Sequence, residues 1–88
     1  MGHAVFEVLL ERRAERDLRR LSKDVQERVA GALRLLATEA RPRGCRKLVG
    51  ADRDWRLRVG DYRIIYEIDD SAQVIRVMYI RHRREAYR

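Results

Sequence analysis

The chain has 88 residues, of which 45% are hydrophobic and 40% are charged, and its formal net charge is +7. This length fits a single domain spanning residues 1–88, with one sheet and helices on one face, and excludes two separate cores. Because there is no apolar run of about 18 residues and no secretory h-region, we expect a cytoplasmic protein that does not enter the membrane.

The first half of the chain predicts a strand followed by a helical hairpin. Residues 4–10 are rich in Val, Phe and Leu, which favours an opening strand. Over residues 11–21 apolar side chains recur at three- and four-residue spacing, as in an amphipathic helix. Ser22 interrupts this pattern and is a candidate N-cap for a second helix that ends near Thr38. The two helices should form a hairpin, which Pro42 closes.

A strand predicted at residues 55–59 separates apolar from basic side chains. Gly60 and Asp61 then mark a tight reversal into a second strand over residues 62–69. Because side chains alternate along a strand, the first of these strands turns its apolar groups to one face and its cations to the other. The apolar set is Trp55, Leu57 and Val59, and the basic set is Arg56 and Arg58.

The last predicted strand, residues 73–82, is apolar on both faces, so we expect a central strand rather than an edge. Its two predicted faces are Val74, Met78 and Ile80, and Ile75, Val77 and Tyr79. The order β-α-α-β-β-β predicts an α+β fold with an N-terminal strand, a helical hairpin and an antiparallel three-strand meander, followed by a short C-terminal tail or helical turn. Both helices should cover one side of an antiparallel sheet and leave the other side open.

The excess positive charge lies in the half of the chain that forms this meander. Residues 1–40 hold 8 Lys and Arg against 7 Asp and Glu, whereas residues 41–88 hold 13 against 7. Guanidinium groups bind phosphate in two-point contacts and stay charged when partly desolvated. An open, basic sheet face therefore predicts a polyanion as the ligand.

Three segments, followed by Tyr87, form a distinctive pattern. They are Lys-Leu-Val-Gly at residues 47–50, Trp-Arg-Leu-Arg-Val-Gly-Asp-Tyr-Arg-Ile-Ile-Tyr-Glu-Ile at residues 55–68, and Ile-Arg-His-Arg at residues 80–83. With the helical hairpin, this pattern resembles the RelE/ParE toxin superfamily over essentially the whole chain, and specifically its RelE-type mRNA interferases. The resemblance implies a toxin of a type II toxin–antitoxin system that cleaves mRNA in the ribosomal A site and inhibits translation. It also implies a cognate antitoxin as partner, in a toxin–antitoxin hetero-oligomer, and chemistry that needs no metal and no cofactor.

The resemblance carries over a set of catalytic residues. Arg63 and Arg83 match family arginines and are predicted phosphate clamps, with Arg83 near the leaving oxygen. Tyr87 matches the tyrosine that acts as base in some members, and nearby arginines would lower the pKa of a phenol there. His82 is a rival for proton transfer, since imidazole is the side chain suited to it near neutral pH. However, consecutive residues of a regular strand face opposite ways, so His82 and Arg83 should not both reach the same phosphate.

Other basic residues are predicted to bind the RNA backbone, namely Lys47, Arg56, Arg58 and Arg81. Where better-known members carry lysine on the first hairpin strand this chain carries Arg56 and Arg58, which keep the charge but cannot plausibly release a proton. A solvated sheet face is the alternative for these two residues. The aromatic residues are expected mainly in the core: Trp55, which could otherwise stack on a base, and Tyr62, Tyr66 and Tyr79.

The sequence is also compatible with two other function classes. One is the ParE branch, which is similar in fold but inhibits DNA gyrase and generally lacks the set Arg63, Arg83 and Tyr87. The other is a non-catalytic RNA-binding regulatory module that keeps the basic face. Toxicity on expression would argue against the regulatory module, and a stalled gyrase complex without mRNA cleavage would favour the ParE branch.

Overall fold

The computed structural model describes residues 5–50 and 53–86. Within these residues the chain forms five strands and three helices, and none of the helices is long and apolar enough to cross a membrane. The predicted α+β order is confirmed, with one short strand in addition. The elements are β1 Glu7–Leu10, α1 Arg12–Arg20, α2 Lys23–Thr38, β2 Arg46–Lys47, β3 Asp54–Val59, β4 Tyr62–Asp69, β5 Val74–His82 and α3 Arg83–Ala86.

The five strands form one sheet in the order β1-β5-β4-β3-β2. The predicted antiparallel meander of β3, β4 and β5 is confirmed, and β5 has a neighbour on each side, as a central strand should. β1 pairs with β5 in parallel, however, with Glu7 opposite Val74 and Leu10 opposite Val77. The prediction of a wholly antiparallel sheet is therefore wrong. Parallel neighbours need a long connection, and the helices and the meander between β1 and β5 supply it.

Local hydrogen bonds hold the two long helices in the predicted hairpin. The Ser22 hydroxyl accepts from the Val25 N–H at 3.4 Å, which confirms Ser22 as the N-cap of α2. The side-chain amide of Gln26 donates to the carbonyls of Leu18 and Leu21 at 2.9 and 3.1 Å. The last carbonyls of a helix have no partner within it, so Gln26 of α2 satisfies the end of α1.

A single core lies between the helices and one face of the sheet. Trp55 and Tyr62 pack against it, as predicted. Tyr66 is fully buried and its hydroxyl donates to the Ala40 carbonyl at 3.0 Å. Burial, with a smaller contribution from Cys45, raises the pKa of Tyr66 well above its usual value. The core consists of Ala14, Val29, Leu33, Leu36, Ala40, Leu57, Ile64, Tyr66, Ile68, Ile75, Val77 and Ile80.

A β-bulge in β5 changes which of its side chains face this core. The consecutive β4 residues Ile65 and Tyr66 lie opposite Tyr79 and Val77, so Met78 is an extra residue without a partner in β4. The predicted division of β5 into two alternating faces is therefore wrong, and Tyr79 lies outside the core. Two residues that are three positions apart both belong to the core, Val77 and Ile80.

Candidate functional site

The face of the sheet away from the helices carries a row of three arginines. Arg58 of β3 lies opposite Arg63 of β4, and Arg63 lies opposite Arg81 of β5. Each has a buried core residue as a neighbour in its own strand, which turns the arginine to the open face. Directly opposite residues have Cβ atoms about 5 Å apart, so the Cβ atoms of the three arginines lie within about 10 Å. Such a concentration of like charge attracts a polyanion.

A cleft at this end of the sheet is lined by arginines from β3, β4 and α3. The Arg58 Nε donates to the Gly60 carbonyl at 3.2 Å, and the Arg83 backbone N–H donates to the Asp61 carbonyl at 2.7 Å. Both acceptors belong to the β3–β4 turn, where Gly60 has a φ of 59°, a conformation that suits glycine. The turn thus connects Arg58 to the start of α3. We call this volume of about 410 Å³ the arginine cleft, lined by Arg58, Arg63, Arg83 and Arg84.

The structure brings Arg56 and two arginines that the sequence did not single out to the same surface. Arg56 lies two residues before Arg58 in β3, on the same face. It is opposite Ile65 of β4 on one side and Arg46 of β2 on the other. Arg46 was missed because a strand of two residues leaves no periodic pattern. Arg84 was missed because only the helical turn at the end of β5 places it beside Arg83 in the arginine cleft.

Lys47 lies apart from the arginine cleft. It is opposite Trp55, a residue that packs against the core, so it lies on the helix side of the sheet. There it helps to line a separate cleft of about 230 Å³ that also contains Arg41 and Asp70. Arg41 and Asp70 form an ion pair at 2.8 Å, which lowers the pKa of the Asp70 carboxyl. The structure therefore does not group Lys47 with the other predicted phosphate-binding residues.

His82 lies on the other side of β5 from Arg81. It is opposite Tyr62, and the two rings meet edge to face with their centroids 5.2 Å apart. The His82 Nδ1 accepts from the Arg84 N–H at 3.2 Å, so the imidazole supports the first turn of α3. Because β5 ends at His82 and a helix begins at Arg83, Arg83 reaches the arginine cleft, whereas His82 is not among the described residues that line it.

The candidate base, Tyr87, lies outside the described residues, so its role stays a prediction. Arg83 and Arg84, which precede it, are the first residues of α3. Among residues 5–50 and 53–86, the structure contains no cluster of three or more His, Cys, Asp or Glu side chains that could hold a metal ion. The groups that the described part of the cleft offers to a ligand are therefore guanidinium cations.

A ring on the same open face adds an aromatic component to this surface. The guanidinium carbons of Arg13 and Arg81 lie 4.5 and 4.9 Å from the centroid of the Tyr79 ring. Cation–π contacts of this kind hold both partners in place. Arg81 thus belongs to the arginine row and also contacts Tyr79, while Arg13 brings α1 to the edge of the site. Arg13 was not predicted, because its position on a charged helix matches that of a solvated residue.

One protein family matches nearly the whole chain. The sequence model of the ParE toxin of type II toxin–antitoxin systems matches residues 8–87. A search of curated proteins found no match.

Several solved structures share the fold. The chain is similar to a chain of the archaeal RelE–RelB complex from Pyrococcus horikoshii, with 27% identity and a TM-score of 0.81, over 90% of this chain and 96% of that one. It is similar to a chain of the toxin–antitoxin complex RelBE2 from Mycobacterium tuberculosis, with 25% identity and a TM-score of 0.80, over 92% and 94% of the two chains. A YoeB/ParE toxin from Agrobacterium tumefaciens shares the fold at 18% identity and a TM-score of 0.75, over 88% and 98%.

Proposed function

This chain belongs to the ParE toxin family of type II toxin–antitoxin systems, within the RelE/ParE superfamily, and we propose that it is a metal-independent endoribonuclease. In this proposal it acts in the cytoplasm, cleaves mRNA in the ribosomal A site and thereby inhibits translation. The observation that carries the proposal is the convergence of Arg58, Arg63 and Arg83 on one cleft, next to Arg81 in the arginine row. A cluster of guanidinium groups on an open sheet face suits the phosphates of a single strand of RNA.

The proposed reaction is a transesterification within the RNA. The ribose 2′-oxygen forms a bond to the adjacent phosphorus and loses its proton to a base, and the bond from phosphorus to the 5′-oxygen breaks as that oxygen gains a proton. The products are a 2′,3′-cyclic phosphate and a 5′-hydroxyl. Because the pentacoordinate phosphorus carries extra negative charge, fixed cations lower the barrier most where that charge develops.

Each residue of the site takes a separate role in this reaction. Arg63 and Arg83 hold the scissile phosphate, and Arg83 also stabilises charge on the leaving oxygen. Arg81 and Arg56 bind flanking phosphates. Tyr87 is the proposed base, since cations near a phenol favour its ionised form. The edge-to-face contact of His82 with Tyr62 favours a role for His82 in supporting α3. It disfavours His82 as the alternative to Tyr87 for proton transfer.

An antitoxin is the second proposed partner. The structural relatives from Pyrococcus horikoshii and Mycobacterium tuberculosis are toxin–antitoxin complexes, which supports a cognate antitoxin here. The net charge of +7 would speed encounter with an acidic segment. Large apolar side chains that are exposed in this chain offer contacts for an amphipathic one: Val5, Leu9, Leu35 and Val49.

A gyrase inhibitor is the alternative function, because the family model that matches the chain is that of ParE. The two proposals differ in what the arginine cleft does. An mRNA interferase needs it to stabilise a transition state, whereas a protein inhibitor of gyrase needs no cleavage chemistry. Both would slow cell growth, so toxicity alone does not separate them.

Mapping of RNA ends on ribosomes programmed with a defined mRNA tests the proposal. The wild-type protein should cut in the A site and leave a 2′,3′-cyclic phosphate and a 5′-hydroxyl. Arg63→Ala and Arg83→Ala should each slow cleavage by about 10²- to 10³-fold, because each removes a charge donor to the transition state. Tyr87→Phe should also slow cleavage strongly, because it removes the proposed base.

The control is Arg34→Ala, which removes one exposed cation from α2 and should leave cleavage unchanged. A 5′-phosphate at the cut, or a Mg²⁺ requirement in the chemical step, would contradict the metal-independent mechanism. Uncut message together with a stalled gyrase–DNA complex would replace the proposal by the ParE alternative.

A further inference from the structure

A second cleft, of about 560 Å³, lies on the open face beside the arginine cleft. The sheet contributes mainly apolar side chains to it, and α1 contributes cations. We call it the Tyr79 cleft. Its lining includes Ile65, Met78 and Tyr79 from the sheet, Arg13 and Arg16 from α1, and Asp54 from β3. An apolar and aromatic surface bordered by guanidinium groups and by the carboxylates of Asp54 and Glu11 combines the groups that bind nucleobases by stacking and hydrogen bonding.

The bulge in β5 is what gives the Tyr79 cleft its apolar surface. In a regular strand Met78 and Tyr79 would point to opposite faces. Since Met78 is the extra residue of the bulge, both side chains instead line the cleft. Bulges are common beside active sites because they redirect side chains in this way.

The Tyr79 cleft and the arginine row are in register. Ile65 and Tyr79, which lie opposite each other, are each two residues along their strand from Arg63 and Arg81. Two residues on a strand span about 7 Å, a step comparable to that between a nucleotide's phosphate and its base. Arg81 connects the two sites, since it lies opposite Arg63 and contacts the Tyr79 ring.

We propose that the Tyr79 cleft binds the base of a nucleotide next to the scissile phosphate and thereby sets the base preference of cleavage, an inference that rests on the proposed nuclease function. The base inserts between the Tyr79 ring and the guanidinium plane of Arg13, which moves outward from its contact with that ring, and it lies beside Met78 and Ile65. The Asp54 carboxylate accepts from an exocyclic amino group. Adenine, cytosine and guanine carry such a group and uracil does not, so the cleft selects against uracil.

Sequencing of the cut ends tests this inference on ribosomes that carry messages with all four bases at each position next to the cut. Tyr79→Ala should slow cleavage of all messages by about 5- to 100-fold, the range expected from loss of one base–aromatic stack, which every base makes. It should also remove the preference over uracil, because the base is no longer held against Asp54. Tyr79→Phe keeps the ring and should keep the preference within about twofold of wild type. Asp54→Asn should narrow the discrimination against uracil.

Arg13→Gln, on the surface of α1, is a second variant in case Tyr79→Ala does not fold, and Arg34→Ala again serves as the control. If the wild type cleaves mRNA but Tyr79→Ala and Arg13→Gln keep the wild-type base preference, the nucleobase assignment fails while the nuclease function stands. If those variants instead weaken only the affinity for the antitoxin, the Tyr79 cleft is a protein-binding site and the assignment is overturned. If the wild type cleaves no message, both proposals fail together.

Discussion

Asp17 is expected to be one of the most sensitive charged positions for stability, because its carboxylate completes the hydrogen bonding of a sheet strand. β1 ends opposite Val77, so the following residues of β5 have no partner in β1. The Asp17 Oδ2, on α1, accepts from the Ile80 N–H at 2.9 Å in a part-buried position. Replacing Asp17 by Ala removes this acceptor and with it one polar link between α1 and β5.

The expected cost follows from the type of hydrogen bond that is lost. A hydrogen bond to a charged group contributes about 1.5–3 kcal/mol. Alanine recovers about 0.5 kcal/mol through its higher helix propensity. The free energy of unfolding of Asp17→Ala should therefore fall by about 1–2.5 kcal/mol, which for a domain of this size lowers the Tm by about 5–15 °C.

Urea denaturation followed by Trp55 fluorescence measures this difference. Asp17→Asn keeps an oxygen acceptor without the charge, so its loss of stability should be smaller than that of Asp17→Ala. Glu27→Ala removes an exposed carboxylate of α2 and should change the free energy of unfolding by no more than about 0.5 kcal/mol. If Asp17→Ala is as stable as Glu27→Ala at an unchanged m-value, the Asp17 carboxylate does not stabilise β5.

Four further predictions concern the core and the helical hairpin. Tyr66→Phe should cost about 1–2 kcal/mol in urea denaturation, since the Ala40 carbonyl loses its donor. The fold raises the pKa of Tyr66, so the unfolded chain loses the phenol proton first as the pH rises. The contribution of Tyr66 to the free energy of unfolding is therefore fully present below about pH 10 and declines above it. Urea midpoints measured from pH 8 to 11 should show a smaller decline in Tyr66→Phe than in the wild type. Gln26→Ala should cost about 1–2 kcal/mol, and Gln26→Glu more, because a carboxylate would face the negative end of α1. Leu36→Ala should cost about 2–5 kcal/mol in thermal or urea unfolding, since it opens a cavity at a fully buried position.

Much of the fold could be predicted because its signals are local. The break at Ser22 separated the two helices, and the structure shows the N-cap hydrogen bond there. The alternation of Leu57 with Arg56 and Arg58 assigned core and solvent faces to β3 without any tertiary information. The bulge at Met78 could not be predicted in this way, because one inserted residue shifts a strand's alternation without leaving a compositional mark.

The alternation within β3 is enough to predict an arginine-rich surface on an open sheet, since a period of two separates Arg56 and Arg58 from the apolar groups of that strand. Which of these cations come together depends on the folded arrangement of the strands. The pairing of Arg58, Arg63 and Arg81, and the contact of Arg83 with the β3–β4 turn, depend on strand register, which packing of the whole core sets. The same long-range pairing puts Lys47 opposite Trp55 and His82 opposite Tyr62, away from that surface.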